Sequence, residues 1–163
     1  GGVRGCRVAA HGLHGWGAVT PHKQLFNHKP EQGQIGDCWR TCLACLLDKA
    51  PADVPHLIED CWEDAAEGKR KTEAYLSTLG LASVEVAFGG DDLQSVLSGV
   101  GGINPGVHYM LGGNSRTGVG HSVICLNDRI VWDPSLTDAG IVGPMSDGYY
   151  WVTFLIPSFL VAR

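Results

Sequence analysis

The stretch "EQGQIGDCWRTCLACLLDK", residues 31–49, holds three of the six cysteines: Cys38, Cys42 and Cys45. A cluster-binding loop, a buried helix of core thiols and a helix that begins at a reactive thiol belong to different folds. Asp37 is an expected N-cap, and the run behind it predicts a helix from Cys38 to about Lys49. At 100° per residue, Cys42 and Cys45 fall within about 40° of Cys38 around the axis. Leu43 and Leu47 take the other side, so the helix is apolar nearly all round and belongs at the centre of the molecule.

The C-x₃-C-x₂-C spacing also occurs in radical enzymes that wrap an iron–sulfur cluster, but on a loop. Here "WRTCLACLLD" is strongly helical, and the chain is short for the barrel such enzymes need. A shared zinc ion is disfavoured too, because Cys38 and Cys45 would lie about 10 Å apart along the axis. Cys42 and Cys45 read as core. Cys38 differs. The first turn of a helix offers unpaired N–H groups and the positive end of the dipole, and both favour thiolate. The adjacent Asp37 opposes this, so a basic partner is required. Gln32 lies six residues upstream, with Gly33 and Gly36 freeing the loop to fold back. Its amide and the Cys38 backbone N–H are the expected oxyanion hole.

With 163 residues, the chain supports one domain with a real core. A net charge of −5 and the lack of a basic run argue against nucleic acid as a partner. No apolar run reaches the ~20 residues of a membrane span. The cysteines form no disulfide framework and the first 20 residues show no signal-peptide core, so a reducing, cytoplasmic setting is expected. Residues 1–18, glycine-rich and aperiodic, read as a flexible extension or a foreign remnant. His11 and His14 there read as a loose polar tail rather than a metal site.

Residues 19–163 form the expected single domain. After the cysteine helix, residues 51–80 predict two or three short helices stopped by Pro55, Gly68 and Gly80. "LASVEVAF" alternates as a strand, and "DDLQSVLSGV" reads as a short helix. "GVHYMLGG", "GHSVICLN", "DRIVWDP" and "YYWVTFLIP" read as strands, the second and third joined by a tight hairpin at "LNDRI". Helices first and an antiparallel sheet after them make an α+β pattern.

Of the seven histidines, His121 is best placed to serve Cys38. It follows the loop "GGNSRTGVG" and opens an apolar strand, where it can face a cleft. Asp133 comes twelve residues later, across the hairpin, and the right antiparallel register would bring it to one ring nitrogen. The other nitrogen would face Cys38. The plain alternatives are a satisfied core histidine and a turn aspartate before proline.

"QGQIGDCW" resembles the signature of the papain family of cysteine peptidases: Gln32, Gly33, Gly36, Cys38 and Trp39 match. Ile35 stands where the family has a disulfide-forming cysteine, and Asp37 where it usually has serine. "GDCWRTCLACLLDKAPADVPHL" and "GGNSRTGVGHSVICLNDRIVWDPSLTDAG" are similar to small bacterial and phage-associated papain-like proteins, related to the bacteriocin-leader (double-glycine) peptidases. This similarity covers residues 32–57 and 107–140, somewhat over a third of the chain. Trp132 replaces the histidine of that group's "HDP" segment.

The resemblance implies a papain-like fold, with a central helix carrying the nucleophile packed on a C-terminal antiparallel sheet. It also implies a cysteine peptidase or amidase that works through Cys38, His121 and Asp133, with Gln32 in the oxyanion hole, on a peptide or protein substrate, without metal or cofactor, in the cytoplasm of a bacterium or a phage-infected host cell. An acyltransferase, transglutaminase-like, and a catalytically silent binding module remain open. Ser115, Arg116, Trp39 and Trp132 are the expected substrate contacts, the alternatives being that Trp39 packs the helix against the sheet and that Arg116 is a solvated loop arginine. Arg116 could grip a carboxylate, and Trp132 could shield the His121–Asp133 bond from water.

Overall fold

The computed structural model describes residues 19–90 and 92–161. Three α-helices, α1 (Cys38–Leu46), α2 (Ala65–Thr78) and α3 (Leu93–Ile103), accompany five strands: β1 (Leu81–Gly89), β2 (His108–Asn114), β3 (Gly120–Leu126), β4 (Arg129–Trp132) and β5 (Tyr149–Pro157). The strands form one antiparallel sheet in the order β1-β5-β2-β3-β4. The fold is α+β. No helix among the described residues is long and apolar enough to cross a membrane. Residues 1–18, with Cys6, His11 and His14, lie outside the described residues.

Alternation along β2, β3 and β5 sorts side chains to the two faces. Tyr109, Leu111, Val123, Cys125, Tyr150 and Val152 meet Val96, Leu97 and Val100 of α3. Met110 and Ile124 point the other way, onto Cys42 and Cys45 of α1. The far side of α1 presents Leu43 and Ala44 to Leu76 of α2, Val54 and Leu155. So α1 is buried all round, as its composition requires.

Two boundaries and one cap differ from expectation. The first helix stops at Leu46, because Asp48 turns left-handed (φ 54°) and Lys49 N–H closes back on the Ala44 carbonyl. Residues 65–78 form one helix straight through Gly68. A Cβ there would lie 3.2 Å from Ile58 Cγ2, so this glycine allows close packing on the 58–61 turn and stops nothing. Asp37 occupies the N-cap position of α1, yet its side chain does not cap. The fully buried carboxylate instead accepts from Leu25 N–H (3.2 Å), Phe26 N–H (2.7 Å) and Arg40 (2.6 Å).

Candidate active site

α1 lies across β3, where Cys42 Sγ donates to the Ser122 carbonyl at 3.3 Å. Cys38 is one turn before Cys42, and His121 is one residue before Ser122, so the packing that buries Cys42 brings Cys38 to His121. Both line one cavity of about 280 Å³, whose walls include Gln24, His28, Ser115 and Ser135. Cys38 is half-buried; Cys42, Cys45 and Cys125 are buried. Burial pushes the Cys42 and Cys45 thiols up, and Cys125 up to about 12. Asp37 brings a negative charge next to Cys38, but Arg40 pairs with it.

His121 Nε2 is 2.7 Å from Asp133 Oδ1, which leaves Nδ1 as the ring nitrogen for Cys38. Asp133 is itself held: Oδ1 also accepts from Ser135 N–H and Oδ2 from Gly140 N–H, both at 2.8 Å. Burial disfavours the charged ring, but the Asp133 carboxylate and the Cys38 side chain outweigh it and raise His121 from its ordinary 6.5 to about 9. Burial likewise opposes the Asp133 charge, but the His121 bond and the two backbone N–H groups overcome it and hold the carboxyl well below its usual range.

A bulge sets this geometry. Cys125 pairs with Ile130, whereas Ile124 pairs with Trp132, leaving Val131 as the extra residue. Ile130 and Trp132 are two apart, and in a regular strand they would share a face. Here Ile130 packs on the α3 side and Trp132 on the α1 side. Asp133 therefore turns to the face that His121 shares with Val123.

Gln32 is not brought into the cavity. Lys29 and Gln34 bridge, closing a short hairpin whose tip, Pro30–Gly33, carries Gln32 into solvent. The glutamine in the cavity wall is Gln24. Its N–H donates to the Pro134 carbonyl and its Nε2 to the Phe26 carbonyl, both at 2.8 Å. Its buried Oε1 has no partner among the described residues. No motif spacing pointed to Gln24, because the 29–34 hairpin lies between it and Cys38.

Of the expected substrate contacts, only Ser115 lines this cavity, and its hydroxyl donates to the Val119 carbonyl at 2.8 Å. The Arg116 guanidinium donates to the Asp138 carbonyl, which fixes the loop after β4 rather than a ligand. Trp132 packs beside Cys42 and donates from Nε1 to the His22 carbonyl at 2.8 Å. Trp39 lines a separate cavity of about 440 Å³ with Ile58, Trp62 and Trp151, and the Lys69–Glu85 ion pair (3.1 Å) stands in the same wall. His28 and Trp62 stand edge to face at 5.2 Å, one in the wall of each cavity.

Among the described residues no group of three His, Cys, Asp or Glu side chains could hold a metal ion. The arrangement joins a thiol at a helix start, a histidine and a half-buried carboxylate that orients it, which suits nucleophilic attack on a carbonyl. Comparison with protein-family models, curated proteins and solved structures finds no match to the chain.

Proposed function

We propose that the chain is a papain-like cysteine hydrolase that cleaves a peptide or isopeptide bond. The observation that carries this reading is the 2.7 Å bond from Asp133 to His121, a histidine that lines the same cavity as Cys38. His121 takes the Cys38 proton through Nδ1, and the thiolate attacks the substrate carbonyl. The Cys38 backbone N–H at the uncapped start of α1, together with the second Nε2 hydrogen of Gln24, the one not given to the Phe26 carbonyl, donates to the oxyanion. Gln24 replaces Gln32 in this role. The protonated His121 then delivers its proton to the leaving amine, the C–N bond breaks, and water hydrolyses the thioester. A reducing cytoplasm suits the free thiols.

The test is labelling with iodoacetamide near neutral pH, followed by mapping of the modified cysteine. Preferential labelling of Cys38, lost in His121→Ala, supports the reading. Equal labelling of several thiols, or an inert Cys38, would overturn it.

A further inference from the structure

We propose that Lys23 is a positioning residue: its ammonium locks the 133–138 loop onto the 22–24 segment, holding the Asp133 carboxylate against His121 and the Gln24 amide against the cavity. This rests on the triad reading but is tested independently of it.

An ammonium has three N–H donors, and all three are used. Lys23 Nζ donates to the Asp133 carbonyl at 3.0 Å, the Ser135 carbonyl at 2.8 Å and Asp138 Oδ1 at 2.7 Å. Between the first two, the Pro134 carbonyl accepts from Gln24 N–H at 2.8 Å. Three successive carbonyls thus converge on residues 23 and 24. Such a cluster of acceptors is mutually repulsive without a cation at its focus. The Lys23 ammonium also lies 5.0 Å from the centre of the Trp132 ring, and Trp132 Nε1 is bonded to the neighbouring His22 carbonyl. Every bond ties a chain segment upstream of the nucleophile to one about 110 residues later. The same loop supplies Ser135 N–H and Gly140 N–H to Asp133, and Ser135, Thr137 and Ala139 to the cavity wall. Lys23 touches neither His121 nor the cavity, so any effect on the chemistry passes through Asp133 and Gln24.

The sign of one effect separates positioning from charge alone. The groups around His121 are Asp133 beyond β4, Cys38 of α1 and His28 across the cavity, with Lys23 and Asp138 behind Asp133. If Lys23 acted only as a distant positive charge, its removal would favour protonated His121 and raise its pKa. If it positions Asp133, its removal loosens the carboxylate and the pKa falls.

The experiment follows the His121 ring by nitrogen-15 NMR across pH, which needs no turnover and stands even if no substrate is ever cleaved. Lys23→Met keeps the stem on Trp132 and removes the donors; Lys23→Arg keeps charge and donors. In Lys23→Met the His121 pKa is expected to fall by about one unit or more. With a cleavable substrate, kcat falls about tenfold or more while KM stays within about twofold, and Lys23→Arg restores most of both. Should Lys23→Met fail to fold, Lys23→Gln removes the charge but keeps two N–H donors on a shorter stem, and the His121 pKa is expected to fall by a smaller amount. A His121 pKa that stays or rises in the folded Met variant, or in Lys23→Gln where that variant decides, overturns the proposal.

Discussion

His121 Nε2 lies 2.7 Å from Asp133 Oδ1 because β4 carries one residue more than β3 can pair with. That extra residue, Val131, is half exposed and does not pack in the core. The bulge turns Asp133 to the His121 face, and the next seven residues fold back so that Ser135 and Gly140 N–H groups close on its carboxylate.

Asp133→Asn keeps the size of the side chain and loses its charge. His121 is then expected to titrate closer to its ordinary 6.5 than to about 9. In a kcat/KM profile this moves the alkaline limb, near 9 in the wild type, to lower pH. Peak activity falls about 10²-fold or more. A limb that stays near 9 in Asp133→Asn would assign it to some other group.

The same pair makes stability pH-dependent at both ends. The folded-state pKa of His121 is raised, so its contribution is complete below about 6.5 and is lost as pH rises through about 9. That of Asp133 is depressed, so its contribution is present above the ordinary carboxylate range near 3.9 and is lost as pH falls below it. Urea midpoints are expected to be highest between about pH 4 and 6.5 and to decline toward pH 10. In His121→Ala the alkaline decline flattens.

The two glutamines should separate cleanly. Gln24→Ala removes an amide from the cavity wall and is expected to lower kcat about 10²-fold, the usual cost of one oxyanion donor. Gln32→Ala removes a side chain from an exposed hairpin tip and should leave kcat within about twofold. Steady-state kinetics on both variants decides, and the reverse order would return the role to Gln32.

Asp37→Ala is expected to destabilise the fold by about 3–5 kcal/mol, because it strands the buried Arg40 guanidinium and frees two backbone N–H groups. Equilibrium urea unfolding measures this. A loss below about 1 kcal/mol would mean that the carboxylate is only tolerated there.

Gly113 pairs with His121 across β2 and β3. An added Cβ would sit 2.6 Å from Ile141 Cγ2 and 2.7 Å from the Gly143 carbonyl. Gly113→Ala is therefore expected to cost about 1–3 kcal/mol in thermal or urea unfolding. It should also weaken the His121–Asp133 pair, since the displaced segment begins at the Gly140 N–H that holds Asp133.

Local chemistry settled much of this protein in advance. The apolar run after Asp37 can only be a buried helix, and the alternation in "YYWVTFLIP" marks β5 from Tyr149 to Pro157. The helix start made Cys38 the exceptional thiol among Cys38, Cys42 and Cys45, and the "LNDRI" turn made His121 and Asp133 neighbours. What local signals could not decide was register and long-range docking. Whether Asp133 faces His121 depends on one bulge in β4, a choice made by packing on both faces of the sheet. Which glutamine enters the cavity depends on a hairpin that carries Gln32 away, and on Asp37 and Pro134 holding residues 24–26 beside the helix start. The Pro134 contact joins segments about 110 residues apart, and its energy exists only once both have been brought to α1.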